Sequence, residues 1–340
     1  MFNKYESKKC NKKGKCMTRA ISEKIVSANI ICTILIICLH TRYEYDGFYN
    51  IIGTLSDAAV PVFFAISSYL YYEKFDWNRP LYSYGKSIQK RVFSLLVPYV
   101  IFSSFGFLVF TGKAIFKNEI LPCDITSFKE VFAYICLSKG NPPLWYLTSL
   151  FEFVLLAPII GYAVKTTKFS LLLMPITIYY CHNLSYSNIF FWLPVLIFGC
   201  YCSIWWNFIL KVFRNVNLLC LSILGVVLWL FICFSFYDIT DRNSFVYYVY
   251  RVMTPIIFLV LMGRMPPPKH IWINMKNYTL FVYCSHSLIL FFLFSIIKKL
   301  PYSFYIYIVS IGIVLLISVG IGYIVKKRCF RLWKILNGGR

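Results

Sequence analysis

The stretch SFYIYIVSIGIVLLISVGIGYIV, residues 303–325, holds 23 consecutive residues with no Asp, Glu, Lys, Arg or His, and Lys326-Lys327-Arg328 follows at once. As a helix rising 1.5 Å per residue it would be about 34 Å long, enough for the ~30 Å hydrocarbon core of a bilayer. The basic cluster behind it has the composition of a segment held at a cytoplasmic face. The stretch is therefore read as a membrane span. Composition around it agrees. The 340 residues are 59% hydrophobic and only 14% charged, too little charge to cover a soluble surface. Aromatics make up 20%, which suits membrane interfaces.

Nine further apolar segments precede this one: 25–41, 52–72, 92–112, 143–164, 169–182, 189–210, 217–237, 247–263 and 277–297. The sequence thus predicts an all-α, polytopic membrane protein with about ten transmembrane helices. Residues 1–24 hold eight Lys or Arg, too long and too charged a stretch for the start of a cleaved signal. They are read as a basic cytoplasmic tail, residues 25–325 as the integral membrane domain, and 326–340 as a second basic cytoplasmic tail. With the amino terminus inside, 26 of the 35 Lys and Arg fall on cytoplasmic segments and eight on external ones, as the positive-inside rule requires. Both termini are then cytoplasmic, and the expected location is the plasma (inner) membrane. The longest connection, 113–142, is placed outside, with 127–137 as a short amphipathic helix on the outer interface.

A net charge of +22 would suggest nucleic acid in a soluble protein. Here the basic residues form short patches beside apolar stretches, which argues for anionic lipid headgroups and no nucleic-acid partner. Thirteen cysteines are present, with no CxxC pair and no Cys/His spacing that suits zinc, so no metal centre is expected. Most lie in apolar runs, where a thiol behaves as a small hydrophobe. Cys123 and Cys136 share the 113–142 connection and could pair across it.

An ionisable group inside a span costs several kcal/mol unless paired or hydrated, so each is a functional candidate. These are His40, Asp57, Glu152, Arg251 and His286, with His182 at a span end. The predicted topology puts His40, Asp57 and Arg251 toward the outside, with Trp145 and Tyr146 level with them. Glu152 lies deeper and His286 near mid-span, so together they could line one cavity open to the external face. Blander roles compete. Asp57 could pair with Arg251 to stabilise the bundle, Glu152 could hydrogen-bond a neighbouring helix while protonated, and His286 could only satisfy helix contacts.

Five segments also carry a resemblance. They are IICTILIICLHT (30–41), VPVFFAISSYL (60–70), Lys90-Arg91 followed by Val97-Pro98-Tyr99, LWYL (144–147) and YTLFVYCSH (278–286). In this order, the chain resembles the membrane-bound acyltransferase-3 family over roughly residues 25–325. Members of that family acylate carbohydrates, often bacterial surface glycans, from an acyl-CoA donor. Three positions depart from the family pattern. Asn29 stands eleven residues before His40, about 16 Å along the same helix face, where the family usually has Arg. Ser68 replaces a common Gly, and Ser94 a common basic residue.

The resemblance implies an O-acyltransferase acting on carbohydrate hydroxyls, with acyl-CoA, acetyl-CoA in the first instance, as donor substrate and no bound cofactor. Its partners are then acyl-CoA, a glycan acceptor and the bilayer; no oligomeric state follows from it. Such chemistry needs a base for the attacking hydroxyl and a polar or positive group for the oxyanion. By resemblance and depth His40 is the expected base, with Asp57 to orient its ring. Lys90 and Arg91 would meet the phosphates of the donor, near Asn29 at the usual Arg position. Trp145 and Tyr146 would stack on a sugar ring, with Glu152, Arg251 and His286 as further substrate contacts. The competing classes are a catalytically degenerate relative, motivated by Asn29, and a transporter, flippase or polymerase of surface glycan. A transporter would be expected to show matched halves with broken helices, and no such halves are found.

Overall fold

The structure, a computed structural model of the chain, describes residues 19–41, 47–213, 218–235, 244–264, 274–297 and 303–339. The basic stretch through residue 18 and Lys298-Lys299 lie outside the described residues. Every element among the described residues is helical. Five runs are long and apolar enough to cross a membrane: Ile21–Thr41, Ile51–Glu73, Pro80–Lys117, Pro142–Lys165 and Phe304–Arg328. Shorter apolar helices occupy Lys168–Cys181, Ile189–Ile204, Phe245–Leu261 and Thr279–Ser295, and Leu218–Ser235 is an 18-residue helix. The chain is a multi-pass helical membrane protein. Where helices fall short of the ten full spans expected, local breaks account for part of the difference. The 189–210 segment is one example. Its helix Leu193–Ile204 stops at Trp205, whose indole N–H donates to the Val164 carbonyl at 3.0 Å, and a separate helix, Trp206–Phe213, follows.

Proline places two further irregularities. Pro61 has no N–H for the carbonyl of Asp57, four residues back, and the chain breaks at Ala58 into helices Gly47–Asp57 and Ala59–Glu73. Pro98 likewise cannot bond the Ser94 carbonyl. A π-helical turn, Val92–Leu96, joins Pro80–Arg91 to Val97–Lys117 there. The whole Pro80–Lys117 run has 38 residues, about 57 Å of helix against a ~30 Å core. Its polar first stretch, Pro80–Arg91, buries no side chain.

The chain divides into two compact units, one of residues 1–39, 44–80 and 157–276, the other of 40–43, 81–156 and 277–340. In the first, Ala59–Glu73 packs on Leu193–Ile204 through Gly199, where an added Cβ would lie 2.3 Å from the Ala65 carbonyl oxygen. Ser68 Oγ donates to the Leu196 carbonyl at 2.7 Å, and Phe64 stacks on Trp192. Backbones this close exclude a methyl group. Gly199→Ala is therefore expected to cost about 1–3 kcal/mol, seen as a lower melting temperature of the detergent-solubilised protein.

In the second unit the 113–142 connection departs from expectation. Val97–Lys117 ends on Asn118 in the left-handed conformation, φ 51°, which Asn tolerates at a helix C-terminus. Ser127 then caps Phe128–Cys136 by accepting from the Glu130 backbone. This helix is amphipathic as predicted, but it does not lie beyond the end of Val97–Lys117. Tyr99 donates to the Cys136 carbonyl and Ser103 to the Ile135 carbonyl, each at 2.5 Å, and Phe107 packs edge-on against Tyr134. Tyr99 stands 18 residues before Lys117, about 27 Å along the helix. The connection therefore folds back along the helix it leaves, because hydroxyls there satisfy carbonyls at its C-terminal end. Gly106 and Gly140 allow the approach: a Cβ on Gly106 would sit 2.6 Å from the Gly140 oxygen. Cys123 and Cys136 are both free thiols, so the possible disulfide is not formed.

Residues 326–340, expected as a tail, hold the end of Phe304–Arg328 and a short helix, Phe330–Leu336. Trp333 is 1% exposed, its ring against Tyr278 and Phe281. Asn337 donates to the Asn277 carbonyl at 2.5 Å. Gly338, at φ 64°, lies over the π turn, where a Cβ would come 2.5 Å from the Ser94 oxygen. Only glycine meets both demands.

Candidate functional site

The residues singled out from the sequence fall in both units. Asn29, Asp57 and Arg251 belong to the first, and His40, Lys90, Arg91, Trp145, Tyr146, Glu152 and His286 to the second.

In the first unit the break before Pro61 leaves Asp57 as the last residue of its helix. Arg251 Nη2 lies 3.2 Å from Asp57 Oδ2, and Tyr247 donates to the same oxygen at 2.5 Å. The guanidinium also sits 4.6 Å from the centre of the Tyr247 ring. Alongside, Trp229 donates to the Tyr250 hydroxyl at 2.9 Å, and Tyr250 to the Thr54 carbonyl at 2.7 Å. Asp57 was expected to orient His40. Its Oδ2 accepts from Tyr247 and pairs with Arg251, the contacts that a bundle-stabilising role calls for. Asn29 is half-buried, its carbonyl accepting from Thr33 Oγ1 at 2.7 Å. His182 also lies here, Nδ1 on the Tyr179 carbonyl and ring against Phe245.

In the second unit two histidines come together. His40 is half-buried in the last turn of Arg19–Thr41. His286 is fully buried in Thr279–Ile297. Their ring centroids are 5.3 Å apart, with planes tilted by 43°. His286 Nδ1 lies 2.6 Å from the Tyr283 carbonyl. Only an N–H can meet a carbonyl, so this contact assigns the proton to Nδ1 and leaves a lone pair on Nε2. His286 Nε2 is buried with no hydrogen-bond partner among the described residues. Tyr283 sits three residues earlier, on the same helix face. Its hydroxyl donates to the Pro143 carbonyl, and its ring meets Tyr146 edge-on at 5.6 Å. Asn141 Nδ2 donates to the Cys284 carbonyl at 3.0 Å.

The other candidates in this unit differ in exposure. Tyr146 is 7% exposed and its ring packs against Tyr283, while Trp145 is half-buried. Glu152 is exposed on Trp145–Lys165. Lys90 is exposed and Arg91 half-buried, both immediately before the π turn. Sequence reasoning did not pick out Tyr247, Tyr283 or Asn141. Among the 27 tyrosines in the chain nothing local marks Tyr247, whereas Tyr283 lies within the YTLFVYCSH segment, three residues before His286. Asn141 had a weaker signal, an amide directly before Pro142-Pro143.

Chemically, the pair offers an accessible imidazole backed by a buried one whose lone pair has no other acceptor duty. The chain matches the family model Acyl_transf_3, described as an acyltransferase domain, over residues 28–327. That span covers most of the chain and every candidate residue of the site, and the protein belongs to this family: it is a multi-pass membrane acyltransferase. No curated protein and no solved structure matches it.

Proposed function

We propose that the protein transfers an acyl group, acetyl in the first instance, from acyl-CoA to a hydroxyl of a cell-surface polysaccharide or glycan. The observation that carries this reading is the His40–His286 pair, 5.3 Å apart, inside a domain of the acyltransferase family. His40, the more exposed ring, takes the proton of the attacking hydroxyl. The hydroxyl oxygen bonds to the thioester carbonyl carbon, the C–S bond breaks, and the proton passes from His40 to the departing thiolate. While charged, His40 carries two N–H donors, and the Nε2 lone pair of His286 is placed to receive one. Lys90 and Arg91 meet the donor's phosphates from the cytoplasmic side. Trp145 stacks on a sugar ring, and Glu152 accepts from its hydroxyls. In this reading both termini are cytoplasmic and the membrane is the plasma (inner) membrane.

The test is chemical. Ester-linked acyl groups on isolated surface glycan are measured by mass spectrometry in wild-type and deletion strains. Loss of one defined acyl mass in the deletion supports the reading and identifies the group. An unchanged glycan would sink it and favour a transporter, flippase or polymerase, or the degenerate relative that Asn29 suggests.

A further inference from the structure

We propose that Asn141 is a positioning residue for the histidine pair: its side-chain amide holds the helix carrying His286 in the register that faces His40. The inference rests on the histidine reading above. Asn141 is completely buried and sits on the connection folded back along Val97–Lys117. Its backbone is tied on both sides, the N–H to the Ser138 carbonyl at 2.8 Å and the carbonyl to the Leu144 N–H at 3.1 Å. Its Nδ2 donates to Cys284, two residues before His286. Two residues further on, the Pro143 carbonyl accepts from the Tyr283 hydroxyl, and the Tyr283 carbonyl is the partner of His286 Nδ1. One short segment, 141–143, thus grips consecutive residues 283 and 284, and residue 283 in turn fixes the imidazole.

Three observations favour positioning over plain packing. Asn141 Oδ1 is buried with no hydrogen-bond partner among the described residues, a desolvation cost that an apolar side chain would avoid. The amide is directional, and its donor meets a carbonyl in the turn of helix that leads to His286. The depth of the segment is set by rigid contact, Gly140 backbone on Gly106 backbone, so the amide works from a fixed base. Misplacing a reacting group by ~1 Å can cost about 100-fold in rate.

The decisive variant is Asn141→Leu, which keeps the shape and removes the donating NH2. The full-length protein is assayed in inverted membrane vesicles bearing the host glycan, with acetyl-CoA as donor, and rates are normalised to folded protein by size-exclusion profile. A 10- to 100-fold fall in kcat with KM for acetyl-CoA within two-fold is expected, and Asn141→Ala should match it. Wild-type kcat in Asn141→Leu, or a loss that appears only as raised KM, would overturn the proposal. His286→Ala is measured alongside. If it retains the wild-type rate, the histidine reading fails and takes this role with it. If it loses activity while Asn141→Leu does not, only the role of Asn141 falls.

Discussion

Replacing His40 with Ala is expected to lower acyl transfer about 10²- to 10⁴-fold, the range for loss of a positioned general base, while the protein still reaches the membrane in normal amount. His40 is half-buried in a final helical turn, so its truncation empties little of the packed interior. The loss should therefore appear in kcat and not in yield. His286→Ala should be milder if that ring only accepts a hydrogen bond from His40, and the ratio of the two effects reports the division of labour. The measurement is ester-linked acyl content of the surface glycan, with the deletion strain as zero. If the deletion removes the acyl group and His40→Ala does not, the base is another residue and the function stands.

Removing the carboxylate of Asp57 should have the largest effect on stability. Asp57→Ala takes from Arg251 its ion-pair partner at 3.2 Å and from Tyr247 its acceptor, at a site where both charged side chains are nearly closed off, 11% and 13% exposed. Breaking one side of such a pair costs about 3–5 kcal/mol. Replacing both charges, as in Asp57→Ala with Arg251→Met, should recover much of that, since the second change removes the orphaned cation. Thermal unfolding in detergent reads the effect directly. Transfer per folded molecule in Asp57→Ala should stay near wild type. A fall in kcat comparable to His40→Ala, with unchanged melting, would place Asp57 in the catalytic machinery.

Apolar runs such as 303–325 declare helices because length and composition alone decide them, and Pro61 and Pro98 mark breaks by a rule that needs only four residues of context. His40 and His286 were legible for the same reason: a costly residue in a span is visible on its own. Their pairing was not, because a sequence gives depth along a helix and not which helices adjoin. The fold-back of 118–144 failed to show for a related reason. It depends on matches between distant positions, Tyr99 with Cys136, Ser103 with Ile135 and Gly106 with Gly140, and none of those residues is unusual by itself. Asp57 had two readings, and only the position of Tyr247 and Arg251 tells which partner its Oδ2 takes.

The unit that holds the histidine pair is written in three separate pieces of chain, 40–43, 81–156 and 277–340. Roughly 120 residues of the other unit emerge between the second piece and the third. At about 5–20 residues per second, Asn141 waits some 7–29 s for Cys284, and His40 some 12–49 s for His286. Throughout that interval the Asn141 amide and the Ser94 turn stand without their later partners, and Trp333 and Gly338 arrive later still. The order of synthesis thus makes the surroundings of the histidine pair one of the last regions to mature, and a nascent chain must be shielded there long after its first helices have inserted.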